Sequence, residues 1–134
     1  MTTRRVSVNV GGLRRTSVEL KEEGTWKDLK NEIKKVTGIW NIYQKLKPDD
    51  NYDERCELEE GDEVFCDWEL PDGNHPLHHA AYCGNNEAIR SWLASGANIN
   101  ATNKYGKTPL MYACYLLKEN SVTELLLGSQ CEFN

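Results

Sequence analysis

No apolar run in the 134-residue chain approaches the roughly 18 residues that a membrane-crossing helix needs. The opening residues, MTTRRVSVNVGG, hold no hydrophobic signal core. Five cysteines (Cys56, Cys66, Cys83, Cys114 and Cys131) include no Cys-x-x-Cys pair, and an odd number points to reduced thiols rather than a disulfide framework. These absences give the expectation of a cytoplasmic or nuclear chain with no membrane contact. Excess positive charge is lacking too. Sixteen Lys and Arg stand against twenty-one Asp and Glu, a net charge of −5, so nucleic acid is not the expected partner. The phosphate-binding loop, the nucleophile elbow and the zinc-protease helix are all missing. The expectation is a chain that is not an enzyme, with no catalytic residue, no metal and no cofactor.

What is present fits a globular chain: 39% hydrophobic and 28% charged residues. The length allows one ordinary domain or two small ones. In the first half, Val6, Val8 and Val10 alternate as a half-buried strand does. Gly11-Gly12 signals a turn, and Val18 and Leu20 continue the alternation on a second strand. Thr25 and Asp28 mark a helix start, followed by Trp26, Leu29, Ile33 and Val36 at helical spacing and Gly38 as the stop. Ile42 to Leu46 reads as a short strand, and Val64, Cys66, Trp68 and Leu70 as a closing one. From Asp49 to Glu69 eleven acids face Arg55 alone, either a solvated face or a docking face for a basic partner.

The second half repeats itself. Gly73 and Gly106, Pro76-Leu77 and Pro109-Leu110, Ala80 and Ala113, and Leu93 and Leu126 each lie 33 residues apart. That period marks a solenoid whose unit is a turn plus two helices. Within it "NHPLHHAAYCG" gathers His75, His78, His79 and Cys83. His79 and Cys83 are one helical turn apart, but a structural zinc needs four ligands and only two share this face, so the histidines read as scaffold. Cys83 and Cys114 read as packing or surface thiols.

Two resemblances follow from these residues. The stretch from about Arg4 to Leu70, with its opening hairpin, "TWKDLKNEIKKVTGI", "YQKLKP" and "EGDEVFCDWEL", resembles the ubiquitin-like β-grasp family. The stretch from Asp72 to Asn134, with "TPL" at Thr108–Leu110 and the finger segment "GANINA", resembles the ankyrin repeat. Together they imply an α+β chain: a ubiquitin-like β-grasp domain over 1–70, then an all-α ankyrin repeat stack over 71–134 with two repeats, the second incomplete or uncapped. The modules are joined only by Leu70-Pro71-Asp72-Gly73.

The function the resemblance implies is that of a non-enzymatic protein–protein interaction scaffold or adaptor. Ankyrin repeats display contacts on hairpin tips and first helices, here Tyr82, Cys83, Lys104, Tyr105, Lys107, Tyr115 and Leu116. A protein is the expected partner. The C-terminal face, with Leu125, Leu126 and Leu127, is expected to be covered by further repeats, another subunit or a second copy. The β-grasp resemblance implies an alternative, a ubiquitin-pathway or small-GTPase-linked regulator. Ubiquitin's apolar patch would fall partly on Lys47 and Asp67, both charged. Arg14, Arg15, Lys27 and Lys34 are either a GTPase-facing set or a solvated basic face.

Overall fold

The computed structural model describes residues 2–47, 54–116 and 125. Pro48, the acids at 49–53, Asn120, Leu126, Leu127, Cys131 and the closing "CEFN" lie outside the described residues. The chain forms two compact units: Met1–Lys34 with Trp40–Glu69, and Lys35–Ile39 with Leu70–Asn134.

Among the described residues the first unit is a mixed sheet with one α-helix. Strands β1 (Thr3–Val10) and β2 (Thr16–Lys21) pair antiparallel, with Val6 opposite Val18. Strand β4 (Glu63–Trp68) runs parallel to β1, and β3 (Gln44–Lys47) runs antiparallel to β4, giving the order β2-β1-β4-β3. The alternation in the sequence is met on one face: Val6, Val8, Val10, Val18, Leu20, Leu46, Val64 and Cys66 are all buried. Helix α1 (Trp26–Thr37) starts on the expected cap. Thr25 Oγ1 accepts from the Asp28 N–H at 3.2 Å, and Asp28 Oδ2 accepts from the Thr25 N–H at 2.9 Å. Trp26, Leu29 and Ile33 fall on one helix face and are buried, each contributing roughly 2 kcal/mol of apolar burial.

The Ile42–Leu46 strand expectation needs correcting. The strand begins at Gln44, and Asn41–Tyr43 forms a 3₁₀ turn that leaves Ile42 79% exposed. Gln44 is turned inward, buried, and donates from Nε2 to the Lys30 carbonyl at 2.9 Å. The acidic stretch is in part structural. Glu60 accepts from the Arg5 N–H, and Asp62 Oδ2 accepts from the Glu59 N–H. Lys47 and Asp67 lie 3.8 Å apart as an exposed ion pair.

The second unit holds helices α2 (Pro76–Cys83), α3 (Asn86–Ala94) and α4 (Pro109–Tyr115), with α2 packed on both others. Gly84 ends α2 in the left-handed region at φ 71°, where a side chain would be strained. Asn85 then caps α3 by accepting from the Ala88 N–H at 3.1 Å. Ala80 and Ala81 are fully buried, and their small side chains allow close approach. A Cβ on Gly38, itself at φ 73°, would stand 3.1 Å from the Ala80 Cβ. Trp92 fills the middle of this unit at 0% exposure and donates from Nε1 to the Thr37 carbonyl at 2.7 Å. Leu125 is helical and buried. Among the described residues no helix is long and apolar enough to cross a membrane.

Candidate functional site

The repeat unit displays its aromatic side chains from a hydrogen-bonded frame. The frame begins at α2, where histidines do the capping. His75 Nδ1 accepts from the Leu77 N–H at 3.0 Å, and His78 Nδ1 accepts from the His75 N–H at 3.0 Å. An Nδ1 that accepts leaves the ring proton of neutral His78 on Nε2, which therefore donates to the Lys107 carbonyl at 2.9 Å. One buried ring thus ties the start of α2 to the segment leading into α4. His75 stacks edge-on against Trp92 at 4.8 Å, and burial, with a smaller electrostatic effect that His78 would add if protonated, lowers its pKa to about 4. The same causes lower the pKa of His79. At the matching position of the second repeat, Thr108 Oγ1 caps α4 through the Met111 N–H at 3.3 Å.

The finger between α3 and α4 is organised by Asn103, which is nearly buried. Its Nδ2 donates to Asn74 Oδ1 at 2.9 Å and to the Tyr112 hydroxyl at 2.8 Å. Its Oδ1 accepts from the N–H groups of Tyr105 and Lys107, both at 3.0 Å. All four hydrogen-bonding positions of the amide are used, so the chain from Tyr105 to Lys107 is held from inside. This residue was not among the expected contacts. Its one sequence signal is generic: an asparagine in a polar, glycine-containing turn, where Asx bonding is common.

The expected contact residues sort as follows. Tyr105, at the tip, is 60% exposed, and Lys104 Nζ lies 5.0 Å over its ring. Lys104 also pairs with Asp72 Oδ1 at 2.8 Å, and its main-chain N–H donates to the Asp72 carbonyl at 2.9 Å. The Asp72 bond, then that of Tyr105, raises the Lys104 pKa. Asp72 adopts φ 63°, the one non-glycine positive φ among the described residues. Tyr82 is 49% exposed and meets Tyr112 edge-on at 6.3 Å. Cys83 is exposed at the end of α2. Tyr115 is 86% exposed on α4, whereas Leu116 is half-buried and less of a display residue than expected.

Lys107 and Tyr115 are brought together with Met111, Tyr112 and Cys114 around an open, mainly apolar groove of about 590 Å³ along α4. Met111 and Cys114 join this surface only once α4 is in place. Tyrosine and methionine around the Lys107 ammonium, which has no ion pair among the described residues, form a surface suited to burying apolar partner side chains and meeting a carboxylate. The buried thiols are poor nucleophiles. Burial, then the charge of Asp67, pushes Cys66 up to about 12, and burial raises Cys56.

The family model of ankyrin repeats (three copies) matches residues 50–134. That range opens ahead of α2 and takes in strand β4. The E3 ubiquitin-protein ligase XBAT33 of Arabidopsis thaliana is 44% identical over 54 residues, 40% of this chain and 10% of that protein. The probable E3 ubiquitin-protein ligase XBOS32 of Oryza sativa subsp. japonica is 49% identical over 41 residues, 31% of this chain and 8% of that protein. The chain thus spans about a tenth or less of the length of these curated relatives.

Proposed function

The chain belongs to the ankyrin-repeat family, and from that premise we propose that it is a non-enzymatic adaptor that captures a protein partner on its repeat surface. The observation that carries this is the frame just described. Asn103 and the Asp72–Lys104 pair fix an exposed Tyr105, beside a groove edged by Lys107, Met111 and Tyr115. A tyrosine already held in place loses little conformational entropy on binding. Recognition in this reading is rigid display, with Tyr105 and Tyr115 as anchors and Tyr82 and Cys83 at the margin. In the same reading the first unit is a ubiquitin-like β-grasp module, supported by its parallel β1–β4 pair and single packed helix.

A second reading makes the chain a ubiquitin-pathway component that works through the first unit. It is favoured by the two relatives, an E3 ubiquitin-protein ligase and a probable one. The two readings differ in which residues a bound partner covers. Hydrogen exchange on the full chain, with and without its captured partner, separates them. The adaptor reading expects slowed amide exchange across residues 103–116 in the complex. Slowing confined to residues 3–69 contradicts it and favours the second reading.

A further inference from the structure

Two nearly identical pentads stand ten residues apart: Arg4-Arg5-Val6-Ser7-Val8 and Arg14-Arg15-Thr16-Ser17-Val18. Each sets two arginines two and three residues ahead of a serine hydroxyl. A guanidinium is a fixed fork that pairs with a carboxylate through two hydrogen bonds. Such a pentad therefore suits a serine kinase with an acidic substrate cleft. The sequence alone does not choose between the two serines; the fold does.

The first pentad is locked away. Arg4 is 6% exposed, and its guanidinium donates to the Glu22 carbonyl and, at 2.7 Å, to the Cys56 carbonyl. Ser7 is half-buried on β1, with Ser17 of β2 on one side and Glu63 of β4 on the other. Its N–H donates to the Asp62 carbonyl at 2.8 Å. The second pentad is displayed. Arg14 and Arg15 lie exposed just ahead of β2, and Ser17 is exposed as the second residue of that strand. In the order β2-β1-β4-β3, strand β2 has a neighbour on one side only among the described strands. Because the Ser7 N–H points to β4, the even-numbered residues of β1 bond to β2, and Ser17 lies between the bonded residues Thr16 and Val18. Only the pair of Thr16 with Val8, the last of the ladder, has to open for residues 14–17 to enter a cleft. A strand end opens at small cost. Arg15 holds Glu63 at 2.9 Å as a surface pair, its side chains 61% and 34% exposed, and such a pair yields readily to a better partner.

We propose that Ser17 is a phosphorylation site, modified by a serine kinase that reads Arg14 and Arg15. Ser17 Oγ attacks the γ-phosphorus of ATP. A new P–O bond forms as the bond to the β,γ-bridging oxygen breaks; ADP leaves, and the hydroxyl proton passes to a base of the kinase. The phosphate adds about two negative charges to the exposed face of the sheet, on the row that runs from Ser17 through Ser7 to Glu63. Arg15 then leaves Glu63 for the phosphate, the denser anion. This site is separate from the repeat surface and stands or falls without it.

The test treats the folded full chain with ATP and a cyclic-nucleotide-dependent serine kinase, and maps the label by peptide mass spectrometry. One phosphoryl group is expected on Ser17 and none on Ser7. Synthetic peptides of residues 2–9 and 12–19 should both be labelled, since only the fold hides Ser7. Arg14→Ala with Arg15→Ala should slow the labelling of Ser17 about a hundredfold, through the loss of two charged hydrogen-bonding partners. Both arginines are exposed, so this variant should melt with the wild type. Should it melt lower, Arg14→Gln alone, which keeps the pair of Arg15 with Glu63, is read in its place and should be about tenfold slower. No label on Ser17 of the folded chain, Ser7 labelled there as fast as Ser17, or an undiminished rate in the arginine variant overturns the proposal.

Discussion

Replacing Trp92 with alanine is expected to destabilise the repeat unit by about 4 kcal/mol, measured as a fall in the urea midpoint of the far-UV signal. The side chain is fully buried, and two things go with it. The core between α2 and α3 loses its largest member, and the Thr37 carbonyl loses its 2.7 Å donor. His75 also loses the ring it stacks on at 4.8 Å. Phenylalanine at the same place refills most of the volume but removes the 2.7 Å hydrogen bond to Thr37, so Trp92→Phe should cost about 2 kcal/mol. Against the 5–15 kcal/mol that typically holds a domain together, the alanine variant removes a large share. A Trp92→Ala chain with an unchanged midpoint would show that this packing is not what holds the unit.

Acid is expected to weaken the same unit. His75 is neutral while it caps α2, and burial holds its folded pKa at about 4. In the unfolded chain it titrates near 6.5. Between those values the unfolded state binds more protons, so stability falls as pH drops from about 6.5 and levels off below about 4. His79, shifted in the same direction, adds to the loss. The control comes from the second repeat, where Thr108 occupies the matching position and caps by its hydroxyl. His75→Thr should keep the cap and flatten much of the pH dependence of the melting temperature. A profile equally steep in the variant would place the acid sensitivity elsewhere.

Much of this was legible in the sequence where local chemistry decides. Thr25 and Asp28 cap α1 because side chains three residues apart can satisfy each other's N–H groups. The 33-residue period was legible because each repeat must present the same apolar positions to its neighbour. Ile42 was misread because apolar alternation over three or four residues does not distinguish a strand from a 3₁₀ turn. Asn103 was invisible because its worth lies in partners from three separate places, Asn74, Tyr112 and the finger itself. The edge position of β2 among the described strands follows from the parallel pairing of β1 with β4, a long-range choice that no local pattern states. The grouping of Lys35–Ile39 with the repeats is of the same kind. It is accompanied by the bonds from Trp92 to Thr37 and from Asn85 to Lys35, the latter at 3.0 Å. Of the candidate site, the tyrosines were legible as exposed finger and helix positions, whereas the groove with Met111 and Cys114 appeared only with α4 in place.

The central claim is that a pre-held aromatic surface on the repeats captures a protein. Its most direct measurement compares quantitative affinity purification by the wild-type chain and by a Tyr105→Ser, Lys107→Ser double variant, at equal loading. Both side chains are exposed, so the two proteins should melt at the same temperature. The account predicts that the principal partner is retained about tenfold less by the variant, the effect of losing a tyrosine anchor. The same partners in the same amounts on both chains would contradict it.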